Sequence, residues 1–263
     1  MMRQTDAELA RHQREIEANL EHWRRKTCLR RIYREFYELI ARNLAGLQGG
    51  LVVELGSGIG SIREVIPQCL RTDVFPNPWI DRVENAYALS FADGTVSDLI
   101  LFDVFHHLRY PGTALAEFWR VLMPEGRVIL FEPCLSVLGL IAYGTFHDEP
   151  LRLKEPIEWL APRGWSADQA GYYAAQGNAS RIFLRGEFRE QWKSWRLVKT
   201  RRLAALAYLG SGGYSKRQLY PDWAYPLIRG MERVADLAPA LFATRLLVVL
   251  AKPYSGVMSA GAR

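Results

Sequence analysis

A glycine-rich loop that follows the first apolar run is the segment of the chain best suited to hold a ligand. The run 51–53 leads into Glu54, and the loop Gly56-Ser57-Gly58-Ile59-Gly60 comes next. Glycine readily adopts positive φ and lets a ligand approach the backbone, so the loop can wrap a bound molecule. The carboxylate of Glu54 would repel a pyrophosphate but attract a cationic amino group. The loop therefore predicts a ligand with a positive end here, and plain turn glycines are the structural alternative.

Two histidines are candidates for proton transfer, because the imidazole pKa lies close to physiological pH. His107 comes soon after the apolar run 96–102, and His147 lies beyond the next apolar run. Both should therefore lie at the sheet edge where ligands bind. His106 and His107 are adjacent, so packing and helix capping are the alternative roles for this pair. Glu132 is a further candidate on the substrate side.

The sequence gives little support for metal or phosphate binding. His147, Asp148 and Glu149 could join His107 around a cation, but a magnesium site needs several convergent carboxylates. We therefore predict no metal site. The segment 210–216 looks like a phosphate-binding loop only superficially, since it lacks the required spacing and follows no strand.

The segments around these residues alternate between helix and strand patterns. Residues 7–46 carry apolar side chains at helical spacing and predict helices that end at Gly46. An amphipathic helix is predicted at 113–122. The predicted strands cover 51–53, 69–72, a start at Val83, 96–102 and 127–131. Strands that alternate with helices favour a mostly parallel, doubly wound α/β sheet.

The chain beyond residue 133 is less regular. Aromatic residues are scattered among Pro, Gly and charged residues, which is typical of an insertion packed over a site. Segments 195–198 and 244–249 predict two closing strands with a helix at 222–237 between them. The basic stretch 181–202 suggests a site for an anionic or flat acceptor, with a solvated helix face as the alternative.

Composition sets wider limits on the class of protein. The 263 residues are 49% hydrophobic and 24% charged, which excludes a disordered or collagen-like chain. Cys28, Cys69 and Cys134 are too few and too far apart for a disulfide framework, and they predict a reducing, cytoplasmic compartment. No signal sequence or spanning segment is evident. The net charge of +6 favours anionic partners, but the mild excess and the lack of an RNA-binding module disfavour nucleic acid.

Five segments in chain order resemble the motifs of the class I S-adenosylmethionine-dependent methyltransferases, in particular the small-molecule, ubiquinone-biosynthesis-like "methyltransferase 11" type. The glycine loop after Glu54 is the first, and Asp73, nineteen residues later, matches the acid at the end of the second strand. The other three segments are Asn85–Gly94, Asp98–Leu108 and Glu117–Gly126. Together they span residues 50–133.

The resemblance implies S-adenosylmethionine as cofactor, S-adenosylhomocysteine as product and methyl transfer by in-line displacement. It also implies a Rossmann-like fold with a seven-stranded, mostly parallel sheet, helices on both faces and an inserted substrate-side region. Asp73 would hold the ribose hydroxyls. Asn85 stands where the family usually has Asp, so it, or Glu84, would contact adenine. The implied cofactor-binding residues are Glu54, Gly56, Ser57, Gly58, Gly60, Asp73, Asn85, Ala86, Asp103 and Phe105.

The expected organisation is a single domain, 1–263. Within it we predict a helical lid at 1–46, a cofactor core at 47–133 and an acceptor-side region at 134–242, closed by the last two strands. The expected acceptor is a small molecule, anionic or aromatic, with O-methylation favoured and His107 and His147 as candidate bases. An RNA or protein methyltransferase and a non-catalytic binding protein remain alternatives, and the sequence leaves the oligomeric state open.

Overall fold

A seven-stranded sheet with the strand order β3-β2-β1-β4-β5-β7-β6 organises the chain. The computed structural model describes residues 6–147 and 149–254. The strands are β1 Leu51–Leu55, β2 Leu70–Asp73, β3 Arg82–Val83, β4 Val96–Phe102, β5 Leu122–Pro133, β6 Arg196–Leu203 and β7 Arg245–Ala251. Strands β1 to β5 pair in parallel, and β7 runs antiparallel to both β5 and β6. The predicted seven-stranded, mostly parallel sheet is confirmed.

Helices cover both faces of this sheet. They are α1 Asp6–Arg25, α2 Thr27–Ala41, α3 Pro111–Val121, α4 Val137–Phe146, α5 Asn178–Phe183, α6 Leu206–Ser211, α7 Tyr225–Ala235 and α8 Pro239–Phe242. Every residue of β4 is buried, because alternate side chains of a strand face opposite sides and both sides are covered. Ile100 and Phe102 lie in the core beneath α2, whereas Leu99 and Leu101 lie in the core beneath α3.

The glycine loop leads into a 3₁₀ turn at Ser61–Glu64. Two strands differ from the bounds predicted from the sequence. Strand β5 begins at Leu122 and not at the predicted residue 127, and it includes Glu125 at a φ of 64°. Strand β6 extends to Leu203, because it pairs with β7 through its backbone although its side chains are mostly exposed and polar.

The basic stretch 181–202 is not one helix face. It is divided between α5, a run of turns and β6. Arg181 is buried in α5, where its Nη2 lies 2.7 Å from Oε2 of Glu187 and its Nη1 donates to two backbone carbonyls. The alternative of a single solvated helix is therefore wrong. The exposed cations of the stretch lie in the turns, at Arg185, Arg189 and Lys193, as well as on β6.

The loop 210–216 binds a lysine of the same chain. Nζ of Lys26 donates to the carbonyl oxygens of Ser211, Gly213 and Lys216 at distances of 3.0, 2.6 and 2.5 Å. Because these acceptors point inward toward a cation, the loop has the polarity opposite to that of a phosphate site.

Candidate active site

The glycine loop after β1 is a left-handed turn that only glycine tolerates well. Gly56, Gly58 and Gly60 have φ values of 71°, 51° and 68°. A Cβ on Gly60 would lie 2.6 Å from the carbonyl oxygen of Trp79, whereas a Cβ on Gly58 would meet only Cδ1 of Ile16, at 3.7 Å. The backbone thus has no free space beside Gly60, whereas the space beside Gly58 is open on the side that α1 covers.

Ser57 fixes this loop to the sheet. Its Oγ donates to the carbonyl oxygen of Glu54 at 3.2 Å and accepts from the backbone N–H of Thr72 at 3.1 Å. The hydroxyl of Thr72 donates to the same Glu54 carbonyl at 2.8 Å. The Ser57 side chain therefore holds the loop in shape and leaves the backbone to face a ligand.

Glu54 places an unpaired carboxylate oxygen inside the protein. The residue is 1% exposed, and its Oε2 has no hydrogen-bond partner. Burial raises the pKa of Glu54 to about 7, although hydrogen bonds from Ser57 and Tyr37 act in the opposite direction. A buried carboxylate with an unfilled acceptor favours a cationic partner, because a positive charge would offset the cost of burial.

Asp73 lies on the other side of the same loop and beneath α1. Its Oδ2 accepts from the backbone N–H of Gly58 at 3.1 Å, and its Oδ1 accepts from that of Phe75 at 3.3 Å. His12 of α1 stacks on Phe75 at 4.6 Å, with its Nε2 4.0 Å from Oδ1 of Asp73. Burial raises the pKa of Asp73, and the charge of His12 opposes this. Glu54 and Asp73 thus flank one loop.

The side-chain amide of Asn85 is engaged within the chain. Nδ2 donates to the carbonyl oxygen of Ala167 at 2.9 Å, and Oδ1 accepts from the backbone N–H of Tyr87 at 3.0 Å. One N–H and one lone pair remain available, so contact with adenine stays a prediction. Glu84 is buried and accepts two hydrogen bonds from Ser90, and Ala86 is partly buried against the core.

Asp103, at the end of β4, forms an ion pair with a buried arginine. The carboxylate contacts Nη1 of Arg245, whose side chain is 2% exposed. The guanidinium carbon lies 4.3 Å from the ring centroid of Tyr208. Asp103 has a φ of 55° and remains partly exposed, so it can still face a ligand. The ring of Phe105 is fully buried 5.4 Å from that of Phe183, and the contact of Phe105 with the cofactor stays a prediction.

Glu132 and His106 form a buried pair beside Asp103. Oε2 of Glu132 lies 2.6 Å from Nδ1 of His106, and Oε1 accepts from the backbone N–H groups of Val104 and Phe105. Burial alone would lower the pKa of His106, but Glu132 and Glu149 together outweigh it and raise the pKa to about 10. The pair fixes the turn after β4, so Glu132 acts on structure, not on a substrate.

Glu149 is the point at which the acceptor-side polar groups converge. Its Oε2 accepts from Gln176 at 2.7 Å and lies 3.3 Å from Nε2 of His106. Its Oε1 accepts from the Tyr172 hydroxyl at 3.1 Å and lies 3.5 Å from Nε2 of His107. Burial would raise the pKa of Glu149, but the neighbouring histidines lower it to about 2. The carboxylate is therefore ionised and shared among several donors.

Both candidate bases lie beside Glu149. His107 donates from Nδ1 to the carbonyl oxygen of Tyr173 at 2.8 Å, and burial lowers its pKa. His147 is more exposed, and its Nδ1 lies 3.0 Å from Nε2 of Gln176 and 3.9 Å from Oε2 of Glu149. Asp148, which the sequence grouped with them, lies outside the described residues. The structure thus brings His107 and His147 to one carboxylate.

Sequence reasoning missed several members of this cluster. His106 was expected only to pack or cap, and Gln176 and Tyr172 carried no signal, because they come from the irregular insertion. Arg245 was interpreted only as a charged residue that precedes an apolar strand. The segment His147-Asp148-Glu149 after strand five was the available hint to Glu149.

The chain resembles known proteins in sequence and in fold. Residues 53–130 match the family described as methyltransferase domain. No curated protein sequence matches the chain. A solved complex of the Haloferax volcanii Trm112 methyltransferase activator with a putative methyltransferase shares 16% identity, with a TM-score of 0.52 over 93% of this chain and 95% of that chain.

Two further solved structures are similar. A SAM-dependent methyltransferase from Archaeoglobus fulgidus has 13% identity and a TM-score of 0.50 over 85% of this chain and 94% of that chain. A geranyl diphosphate C-methyltransferase from Streptomyces coelicolor has 13% identity and a TM-score of 0.48 over 83% and 77%. The chain therefore has the fold of the methyltransferases among these solved structures, and its residues 53–130 match the methyltransferase-domain family.

Proposed function

We propose that the protein transfers a methyl group from S-adenosylmethionine to a small-molecule acceptor, most readily to an oxygen, by in-line displacement. The observation that carries the proposal is that the cofactor loop and the Glu149 cluster lie at the same edge of the sheet. Helix α1 reaches both of them. His12 lies beside Asp73, and Arg11 lies 4.8 Å from the ring centroid of Tyr172.

The residues around the loop fit S-adenosylmethionine. The unpaired Oε2 of Glu54 suits the cationic amino group, and the open backbone at Gly58 suits close approach of the ligand. Asp73 would take the ribose hydroxyls. Gly56, Gly60, Ser57, Asn85, Ala86 and Asp103 are the other proposed cofactor residues. The cofactor would supply the methyl group on a sulfonium, and α1 would act as a lid.

His107 is our first candidate for the base that removes the acceptor's proton. Its Nδ1 donates to a carbonyl, so Nε2 carries the lone pair, and the lowered pKa keeps the ring neutral near neutral pH. Nδ1 of His147 is occupied by Gln176, which leaves Nε2–H to donate to the acceptor. The Glu149 carboxylate, with Oε1 3.5 Å from Nε2 of His107, would stabilise the positive charge that this ring gains with the proton.

The three free, buried cysteines support a reducing, cytoplasmic setting for this reaction. No helix among the described residues is long and apolar enough to cross a membrane.

Calorimetric titration with S-adenosylmethionine tests the cofactor part of the proposal, and absence of binding at high micromolar concentration would reject it. Transfer of a tritiated methyl group into a cell extract, fractionated by size, tests the acceptor class. Label in the small-molecule fraction supports the proposal, whereas label that nuclease or protease treatment removes supports an RNA or protein acceptor. Binding without any transfer supports a non-catalytic protein.

Histidine variants test the chemistry. We expect His107→Gln to lower the transfer rate about a hundredfold or more with unchanged cofactor affinity. His147→Gln should have a smaller effect, and His22→Gln in α1 is the matched control that should have none. Equal rates for His107→Gln and the control would remove His107 from the mechanism.

A further inference from the structure

Three side chains that can ligate a metal ion meet beyond the end of β4. His106 and His107 lie in the turn after this strand, and Glu149 comes shortly after α4. Nε2 of His106 lies 3.3 Å from Oε2 of Glu149, and Nε2 of His107 lies 3.5 Å from its Oε1. Two atoms that each bind zinc at about 2.1 Å in tetrahedral geometry lie about 3.4 Å apart. The spacing therefore suits ligands of a single cation.

The two imidazole rings are oriented so that Nε2 of each can bind a metal. Nδ1 of His106 lies 2.6 Å from Oε2 of Glu132, and Nδ1 of His107 lies 2.8 Å from the carbonyl oxygen of Tyr173. Because an ionised carboxylate and a carbonyl only accept, each Nδ1 carries a hydrogen, and Nε2 is the nitrogen that can offer a lone pair. Histidines that bind metals are commonly held in this way, through the ring nitrogen that is not the ligand. Both rings thus have the support that metal ligands need.

The Glu149 carboxylate is held by hydrogen bonds as well. Its Oε2 accepts from Nε2 of Gln176 at 2.7 Å, and its Oε1 accepts from the Tyr172 hydroxyl at 3.1 Å. Gln176 is 1% exposed, and its Oε1 has no hydrogen-bond partner among the described residues. This oxygen belongs to the amide that contacts Glu149, so it is a buried acceptor close to the three ligands. A water molecule bound to the metal could donate to it.

The charge around His106 favours a divalent cation. The Glu132 side chain is 0% exposed and that of Glu149 is 20% exposed, so two carboxylates flank this histidine away from bulk water. Negative charges in such a place are costly unless a cation offsets them. A metal ion would take the place of the proton that His106 otherwise shares with Glu149, and its two positive charges would offset both carboxylates.

The donor set indicates the kind of metal. Two imidazole nitrogens and one carboxylate suit zinc and related transition metals, and they leave at least one coordination position open. Magnesium and calcium prefer a larger number of oxygen ligands. The prediction of no metal site from the sequence was argued from magnesium, and it did not include His106. The three ligands therefore favour an ion of the zinc type.

We propose that Nε2 of His106, Nε2 of His107 and the Glu149 carboxylate bind a divalent transition-metal ion of the zinc type, and that this ion inhibits methyl transfer. The ion would occupy the lone pair with which His107 is proposed to remove the acceptor's proton, so metal ligation and proton removal exclude each other. The inhibition rests on the proposed function. The binding does not, since it requires neither cofactor nor acceptor.

Calorimetric titration with zinc chloride tests the binding on the full chain, after a chelator has removed any metal and has itself been removed. We expect one site per chain in the wild type. His107→Gln and Glu149→Gln each remove one ligand, and each should weaken zinc binding about a hundredfold or more, because residues that only orient ligands already contribute about tenfold to a hundredfold. Both side chains are partly exposed, so the variants should fold, which their thermal unfolding will check.

His22→Gln in α1 is the matched control, because it removes an imidazole outside the cluster. It should bind zinc like the wild type. The binding proposal fails if the wild type binds zinc no more tightly than His107→Gln and Glu149→Gln, or if His22→Gln weakens binding as much as they do. Titration with cobalt(II) identifies the ligand type by visible absorption. A thiolate spectrum would also contradict the proposal, since the metal would then lie on a cysteine.

The transfer assay tests the inhibition. Zinc at a concentration that saturates the calorimetric site should lower the wild-type transfer rate about a hundredfold, and a chelator should restore it. An unchanged or increased rate at saturation would overturn the inhibition. A chain that transfers no methyl group would contradict the proposed function alone, since the metal titrations contain neither cofactor nor acceptor.

Discussion

Nδ1 of His106 lies 2.6 Å from Oε2 of Glu132 in a region where the two side chains are 3% and 0% exposed. A pair in this position is costly to break, because the remaining partner would keep an uncompensated charge away from water. We expect Glu132→Gln to lower the free energy of unfolding by about 3–5 kcal/mol, measured by urea denaturation. Glu158→Gln, which removes only the exposed partner of Arg109, should cost less than about 1 kcal/mol. Equal losses would mean that the buried pair contributes no more than a surface pair.

The same pair predicts a dependence on pH. The folded protein holds a proton on His106 up to a pKa of about 10, against an ordinary value of 6.5. The stabilisation is therefore complete below pH 6.5 and is lost as the pH rises toward 10. The difference in unfolding free energy between the wild type and His106→Gln should shrink over that window. A constant difference would contradict the charged state of His106.

The buried acid Glu54 predicts a second pH dependence, in which the folded protein again loses stability as the pH rises. The folded protein binds a proton up to a pKa of about 7, whereas the unfolded chain releases it near 4.5. The free energy of unfolding should therefore fall as the pH rises from 4.5 to 7, by on the order of 3 kcal/mol. In the Glu54→Gln variant, urea denaturation at several pH values should show a smaller decrease of the unfolding free energy with pH. An unchanged decrease would show that Glu54 is not buried as a neutral acid.

Asp73 should contribute more to cofactor affinity than any exposed acid nearby. Asp73→Ala removes the acceptor of the Gly58 N–H as well as the proposed partner of the ribose, so we expect S-adenosylmethionine binding to weaken about tenfold to a hundredfold. Calorimetric titration measures this. Asp93→Ala, at an exposed acid paired with Arg120, is the control and should bind like the wild type.

Two glycines with similar backbone angles should respond differently to alanine. Gly60 and Gly94 have φ values of 68° and 65°, so each substitution should cost about 1–2 kcal/mol of strain. Gly94 has nothing within 4 Å of the new Cβ, whereas Gly60 faces the Trp79 carbonyl oxygen at 2.6 Å. Gly60→Ala should therefore cost about 1–3 kcal/mol more in unfolding free energy than Gly94→Ala. Equal costs would show that the loop that carries Trp79 can move away from Gly60 at little cost in free energy.

The centre of the sheet could be predicted from the sequence because strands such as β4 and β7 are buried on both faces and form apolar runs in the sequence. The bounds of β4 agree residue for residue, and Glu54 and Asp73 lie at the ends of the strands that the motifs indicated. Strand β6 could not be delimited, since an exposed edge strand depends on its neighbour's backbone and leaves no hydrophobic pattern.

The acceptor side was predictable only in part. His107 and His147 follow recognisable strands, so their approach to one edge was expected. The cluster around Glu149 also includes Gln176 and Tyr172, which donate to its carboxylate. These two residues come from an irregular insertion, and no local sequence pattern predicts their position. The burial of the Phe105 ring could not be predicted, because a residue after a strand can turn into either the cleft or the core, and here Glu132 accepts from its backbone N–H.

The two edges of the sheet are protected from pairing with strands of other molecules in different ways. Strand β3 has only two residues, which is too short to template an added strand. Strand β6 is eight residues long and exposed, but it carries Arg196, Lys199, Arg201 and Arg202. An incoming β-strand would have to align with this row of cations, so the charge of β6 should help to keep the protein from aggregating through its sheet.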